Sequence, residues 1–507
     1  MTPVPRRGKV WLVGAGPGDP GLLTLKAARA IAACDVLVYD ALASSAIVAM
    51  APPGCEKIYV GKKADAHAAS QDEITALIVE LGLAGKRVVR LKGGDVFVFA
   101  RGGEEAAELR AAGVAFEIVP GITSALAVPA YAGIPVTHRE RNTSFTVATG
   151  HEDPAKGYSS LDYAKLANPA QTLIFLMAMG NLAGIVARLL EHGMPGDLPV
   201  GIVREGTRPT QETLIATLAT VVDEVERARF VAPAVVVIGN VVREREAIRW
   251  FDAGPLFGKR VLITRARAEA DAFAERLLEI GAEPVIAPAI AIGPPDDPAP
   301  ARAALATLAS RAWVVFTSGN GVAACFDLLH ADGGDARRFG AARVAAVGPK
   351  TAERLAAQGI RPDFVPDAHV GEAVAAGLLE RTQPGDRVLL FGAQEMRDVI
   401  PRTLRAAGRE VEVVAGYKTS IVEDPELARR AEETDVWTFT SASTVRGFVA
   451  NVPGAGDLAQ ERTVACIGPI AAKAARDSGL PPDVVAEEFT VDGLIAALEA
   501  GQRHSVT

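Results

Sequence analysis

The chain has 507 residues, 49% hydrophobic and 5% aromatic, and its 53 lysines and arginines against 61 acids leave a net charge of −8. That length holds about three or four compact units, and an acidic balance without a basic stripe argues against a sequence-independent nucleic-acid binder. No apolar run suits a membrane span or a secretory leader, and Cys34, Cys55, Cys325 and Cys466 form neither a CxxC pair nor a His-flanked cluster, so the expectation is a cytoplasmic protein with core thiols and no metal site.

From Lys9 to about Arg249, short strand-like runs alternate with Ala-rich segments of helical period; Val10–Val13, Val36–Tyr39, Arg87–Leu91, Phe145–Ala148, Leu173–Leu176 and Ala234–Ile238 are the runs. This alternation predicts an α/β architecture with largely parallel, doubly covered sheets. The first run opens into Val13-Gly-Ala-Gly-Pro-Gly-Asp-Pro-Gly21, which invites a dinucleotide-binding reading. That fingerprint fails, because its third glycine falls at Asp19 and Pro17 removes a backbone donor where phosphate should sit. A loop carrying Pro17 and Asp19 suits a cationic or zwitterionic ligand instead.

A second glycine turn follows in Arg90-Leu-Lys-Gly-Gly-Asp95. Gly93 and Gly94 let backbone approach a ligand closely while Asp95 faces an ammonium or sulfonium; a simple turn is the plain alternative. Phe97-Val-Phe-Ala-Arg-Gly-Gly-Glu-Glu105, Pro120-Gly-Ile-Thr-Ser-Ala125 and Tyr131-Ala-Gly-Ile-Pro-Val-Thr-His-Arg139 add further turns with hydroxyl and charged groups. Arg243–Glu246 reads as a final helix, and Trp250–Gly258 as a partly apolar connector with the boundary near Pro255.

The second half contains an internal repeat. Arg260-Val-Leu-Ile-Thr-Arg265 matches Arg387-Val-Leu-Leu-Phe-Gly392, Phe316-Thr-Ser318 matches Phe439-Thr-Ser441, and Val344-Ala-Ala-Val-Gly-Pro349 matches Val464-Ala-Cys-Ile-Gly-Pro469, at offsets of 127, 123 and 120 residues in conserved order. Two lobes of similar α/β fold follow. Each matched segment ends a strand in small or hydroxylated residues, where open sheets place ligand groups. Any one of them alone is equally a helix cap or turn.

With these motifs in place, residues 9 to about 249 resemble the uroporphyrinogen-III C-methyltransferases of the tetrapyrrole methylase family. Residues 258 to about 500 resemble uroporphyrinogen-III synthase. The resemblance implies a first domain over 1–250, a linker at 251–257 and a second domain over 258–507. The synthase lobes would lie at about 258–290 with 420–507, and at about 295–412, with chain crossings near Pro288 to Pro295 and Val413 to Thr419. For the first domain it implies two α/β subdomains with S-adenosylmethionine in the cleft, in a homodimer. The implied cofactor contacts are Pro17, Gly93, Gly94, Asp95, Val98, Thr123, Ser124, Met177 and Gly206, with Asp40 as proton acceptor and Lys62 as proton donor. On residue type alone, Asp40 reads as a helix cap and Lys62 as a solvated lysine. Val96, Ala100 and Ser124 depart from the family's usual Pro, Gly and Ala.

The implied reactions are methylation of uroporphyrinogen III at carbons 2 and 7, giving precorrin-2, and cyclisation of hydroxymethylbilane with inversion of its last pyrrole ring, without cofactor. Eight substrate carboxylates call for local cations, and Lys62, Lys63, Arg101, His138, Arg139 and Arg141 are the candidates in the first domain. In the second, Arg265 and the groups at Thr317, Ser318, Gly348, Thr440 and Ser441 are the candidates. Tyr417 matches a recurrent family tyrosine able to assist departure of hydroxide, or else packs between the lobes. With no dehydrogenase/chelatase module before Lys9, the expected end point is precorrin-2. Three rivals stand beside this reading: a nicotinamide-dependent oxidoreductase, a methylase of a later corrinoid, and an active methyltransferase joined to a decayed, tetrapyrrole-binding synthase module.

Overall fold

A computed structural model of the chain describes residues 8–61, 70–151, 161–368 and 370–503. The chain forms two compact units, one of residues up to Lys259 together with Leu277–Glu283, the other of Arg260–Arg276 with Pro284–Gly501. Both are α/β.

The first unit begins with β1 (Lys9–Gly14), β2 (Val36–Tyr39), β3 (Glu56–Tyr59), β4 (Arg87–Lys92) and β5 (Ala115–Val119), ordered β3-β2-β4-β1-β5 and all paired parallel. The strands are apolar on both faces because both faces are covered. Val10, Leu12 and Val38 pack with Ile78 and Leu109 on one side, while Val13, Leu37 and Leu91 pack with Ile31 and Ile47 on the other.

The next strands are β6 (Ser144–Thr149), β7 (Gln171–Leu176), β8 (Pro199–Arg204), β9 (Glu212–Thr217) and β10 (Ala234–Ile238), ordered β6-β7-β10-β8-β9. Here the expectation of a largely parallel sheet fails. β6 and β7 are parallel, but β7/β10, β10/β8 and β8/β9 are antiparallel. A parallel pair needs a crossover of roughly a dozen residues or more, and the 205–211 turn between β8 and β9 is too short. An apolar run fixes where a strand lies, not which way it points.

The helix Ser124–Tyr131, capped by the Thr123 hydroxyl, packs through Ala125 and Val128 onto Ile174, Val203 and Val237 of this second sheet. Its far end holds the segment expected as a linker. Trp250 Nε1 donates to the Ala130 carbonyl at 3.1 Å, and the Tyr131 ring meets Trp250 and Phe251 edge-on at 5.0 and 4.8 Å. Phe251 then meets Phe257 at 5.5 Å, and Arg245 pairs with Asp252 at 2.6 Å. The 251–257 segment is thus a packed strap on the first unit.

The second unit contains β11 (Arg260–Ile263), β12 (Glu283–Ile286), β13 (Ile290–Gly293), β14 (Trp313–Phe316), β15 (Arg343–Ala346), β16 (Arg387–Ala393), β17 (Glu410–Ile421), β18 (Val436–Phe439), β19 (Thr463–Cys466) and β20 (Val484–Val485). They form two sheets, β12-β11-β18-β19-β20 and β13-β17-β16-β14-β15. The segments expected as crossings are themselves strands of the second sheet: β13 pairs antiparallel with the end of β17, Ile290 opposite Ile421 and Gly293 opposite Lys418. The chain changes sheet between β12 and β13 and again after Ile421. A fourth matched pair joins the repeat, since Asp363 accepts from the Val344 amide at 2.7 Å and Asp483 from the Val464 amide at 2.8 Å. Among the described residues, no helix is long and apolar enough to cross a membrane, and no three potential metal ligands cluster.

Candidate active site

A cleft of about 660 Å³ opens in the first unit at the carboxyl ends of β2, β4, β7 and β8. Pro17, Gly93, Gly94, Asp95, Val98, Thr123, Ser124, Met177 and Gly206 all line it, as does Asp40. These positions come from widely separated segments, and two backbone devices bring them together. The two glycine loops bond to each other, Gly16 N–H to Gly94 O at 3.1 Å and Gly94 N–H to Gly16 O at 2.8 Å. The chain after β5 passes so close that a Cβ on Gly121 would lie 2.2 Å from the Gly94 carbonyl oxygen, which only glycine tolerates.

Backbone strain gathers here. Phe99, Met177 and Glu205 line the cleft at φ of 54°, 55° and 46°, and Arg101 and Thr207 beside it have φ of 57° and 70°. Each such residue costs about 1–3 kcal/mol, and such costs concentrate where a site needs a particular shape.

Asp40 follows β2. Its Oδ1 accepts the Leu42 amide at 3.1 Å and its Oδ2 lies 3.4 Å from Arg90 Nη2. Beneath it, Glu105 is fully buried at 0% exposure and accepts from Lys92 Nζ at 2.7 Å, Gln71 Nε2 at 2.9 Å and Arg90 Nε at 3.4 Å. Arg90, Lys92, Asp40 and Glu105 form a neutral cluster. Burial, reinforced by the Arg90 charge, pulls the Lys92 ammonium below its usual pKa despite Glu105.

Two acids differ from expectation. Asp95 spends both oxygens on backbone, accepting from Phe97 N at 2.8 Å and Gly121 N at 3.0 Å; it braces the loop as well as lining the cleft. Asp19 does not line the cleft. It caps the turn Pro20–Leu22 and accepts the Tyr131 hydroxyl at 2.6 Å, and burial together with that carboxylate holds the Tyr131 phenol well above its usual pKa. The short polar loop thus faces a partner 112 residues away.

The expected cations separate. Lys62 and Lys63 lie outside the described residues. Arg101 sits at the start of the helix Gly102–Ala111 with its charge paired to Glu104 at 2.5 Å. Arg139 is exposed on the turn before β6. Because β6 runs parallel to β7, whose carboxyl end lines the cleft, that turn lies at the opposite sheet edge. His138 and Arg141 share its place and face Glu244, at 3.9 and 2.9 Å. Sequence reasoning passed over Lys92, Glu205 and Arg208, which do line the cleft.

In the second unit, Tyr417 on β17 is 9% exposed, and its hydroxyl lies 3.0 Å from Ser318 Oγ. Burial raises its pKa, an effect Ser318 opposes and Glu269 adds to. Ser318 also caps the helix Gly319–Ala331 through Gly321 N, and Ser441 caps Ala442–Asn451 in a reciprocal pair with Thr444. Gly348 precedes the helix Pro349–Ala357. Thr317 points its hydroxyl at Met396 Sδ, 3.9 Å away, and Thr440, half-buried, follows β18. Arg265 pairs with Glu269 at 2.5 Å within its own lobe.

Residues 9–222 match the family described as Tetrapyrrole (Corrin/Porphyrin) Methylases, and residues 271–496 match Uroporphyrinogen-III synthase HemD. The porphyrin biosynthesis protein HemD of Ruminiclostridium josui is 38% identical over 97% of both chains. An S-adenosyl-L-methionine-dependent uroporphyrinogen III methyltransferase of Methanosarcina barkeri is 51% identical over 46% of this chain and 92% of its own. The crystal structure of uroporphyrin-III C-methyltransferase from Thermus thermophilus, complexed with S-adenosylhomocysteine, is 39% identical, covering 46% of this chain and 99% of that one at a TM-score of 0.40. The chain belongs to the family of tetrapyrrole-biosynthesis enzymes in which a tetrapyrrole methylase is fused to a uroporphyrinogen-III synthase.

Proposed function

We propose that the second unit closes hydroxymethylbilane to uroporphyrinogen III, inverting the last ring, and that the first unit methylates this product at carbons 2 and 7 with S-adenosylmethionine, giving precorrin-1 and then precorrin-2. The observation that carries the reading is the gathering of nine expected cofactor positions and Asp40 around one cleft.

The lining fits the cofactor. Gly93 and Gly94 allow close backbone approach, Val98 and Met177 offer apolar surface to an adenosyl group, and Asp40, Asp95 and Glu205 favour a cation. When bound, S-adenosylmethionine supplies an electrophilic methyl on a sulfonium. The chain's own part is to orient an electron-rich pyrrole carbon, an effect worth several kcal/mol, and to take the proton released, for which Asp40 is positioned with Arg90 behind it.

In the second unit the residues bind and shape the substrate. Amides at the starts of Gly319–Ala331, Pro349–Ala357 and Ala442–Asn451 present positive helix ends to substrate carboxylates. Tyr417, kept protonated by burial, donates its proton to the departing hydroxide. The first unit pairs as a homodimer, a reading supported by exposed Phe97, Ile122 and Leu126. The protein acts in the cytoplasm, which four unbridged thiols favour.

Transfer of labelled methyl from S-adenosylmethionine to uroporphyrinogen III tests the first activity. Asp40→Ala should slow transfer by about 100-fold or more while cofactor binding persists. A wild-type chain that transfers no methyl overturns the reading.

A further inference from the structure

Arg208 lies on the short turn between β8 and β9 and lines the cleft. Among the described residues its guanidinium pairs with no carboxylate, which sets it apart from the cations around it. Lys92 is committed to Glu105, Arg90 to Asp40 and Glu105, and Arg101 to Glu104. The acids of adjoining segments are engaged elsewhere: Glu205 accepts the Thr210 hydroxyl at 2.6 Å, and Asp19 accepts the Tyr131 hydroxyl at 2.6 Å and the Gly21 amide at 2.7 Å. The Arg208 stem also has a set path. It crosses Gly18, where φ is 149° and a Cβ would lie 2.8 Å from Arg208 Nε and 3.0 Å from its Cγ. The same glycine loop that shapes the cleft therefore makes room for this side chain.

A half-buried guanidinium without a carboxylate partner is free to take an anion, and its planar fork matches a carboxylate in two parallel hydrogen bonds. We propose that Arg208 is the carboxylate anchor of the cleft, taking a carboxylate of the bound ligand. The proposal rests on the functional reading above, under which two carboxylate sources enter the cleft: the amino-acid end of S-adenosylmethionine and the acidic side chains of the tetrapyrrole. Arg208 lines the same cleft as Pro17, Asp40 and Gly206, so it is placed to meet either.

The test uses the full chain with Arg208→Gln and Arg208→Lys. Calorimetric titration with S-adenosylhomocysteine reads one source, and the KM for uroporphyrinogen III in methyl transfer reads the other. Arg208→Gln should weaken one of these by about tenfold or more, the loss expected for hydrogen bonds to a charged group. Arg208→Lys should recover part of it, keeping the charge without the fork. The thermal midpoint should stay near wild type, because the guanidinium pairs with no carboxylate among the described residues. Weaker cofactor binding assigns the anchor to the amino-acid carboxylate; a raised tetrapyrrole KM assigns it to the substrate. If wild type binds both ligands and Arg208→Gln leaves both constants within twofold, the anchor is overturned alone. If wild type binds neither, the functional reading falls and the anchor with it.

Discussion

Glu105→Gln removes the centre of the buried charge cluster beneath Asp40. The wild-type carboxylate, at 0% exposure, serves Lys92, Gln71 and Arg90 at once. Neutralising it leaves Lys92 and Arg90 with Asp40 as their remaining acid in the cluster, and stranding one member of a buried pair costs about 3–5 kcal/mol. All three hydrogen bonds end on Oε1, and the amide oxygen can still accept two of them, which points to the lower end. Its new NH2 group, however, falls at a buried position where Glu105 Oε2 has no hydrogen-bond partner among the described residues. We therefore expect about 3 kcal/mol, or roughly 150-fold faster hydrogen exchange in β4 and in the helix Gly102–Ala111. Exchange by mass spectrometry is the suitable assay, since a chain of two units need not unfold in one step. Adding Lys92→Met removes the stranded ammonium as well and should restore most of the protection, because a buried pair replaced by apolar groups is often neutral. Exchange in Glu105→Gln within threefold of wild type, or faster still in the double variant, would refute this account.

Burial pushes the Cys34, Cys325 and Cys466 thiols up to about 12, so none should react with iodoacetamide at pH 8 until the protein unfolds; rapid labelling of native protein counts against the packing. Hydrogen bonds from Lys26 and then Lys9 lower Glu117 from 4.5 to about 2. Between those values the unfolded chain binds the proton and the folded chain does not, so this stabilisation is present above about pH 4.5 and is lost as pH falls towards 2. Glu117→Gln should lower the thermal midpoint at pH 7 but converge with wild type near pH 2, and a constant gap would contradict the assignment. Ser441→Ala should cost about 1 kcal/mol through the lost helix cap, lowering the second unit's midpoint by about 2–4 °C; no change would mean the cap is redundant.

The strand positions were legible because buried β-branched runs mark strands, as Val36–Tyr39 and Ala234–Ile238 do. Strand direction in the second sheet was not, since β10 inserts antiparallel between two earlier strands without changing its composition. The repeat was visible from matched Thr-Ser and Gly-Pro pairs, and Asp363 with Asp483 could have joined them, each preceded by proline at the offset of 120. The cleft-lining turns at Pro17, Gly93, Gly94 and Gly206 carry glycine and proline signatures and could be read. The charges could not. Glu105 sits in a stretch, Gly-Gly-Glu-Glu-Ala, that looks solvated until Lys92 and Arg90 are folded over it. Arg139 looked promising from its neighbours, yet strand direction puts it at the wrong edge. Arg208 stands two residues past Gly206 and gains meaning only from Gly18, far away in sequence.

On the proposed reading, one chain makes uroporphyrinogen III and methylates it. Purified protein given hydroxymethylbilane anaerobically, with and without S-adenosylmethionine, and followed by isomer-resolved mass spectrometry, tests it most directly. The expected products are the type III macrocycle without cofactor and its dimethylated derivative with it. Type I product alone would contradict the synthase assignment, and unmethylated type III product in both samples would contradict the methyltransferase.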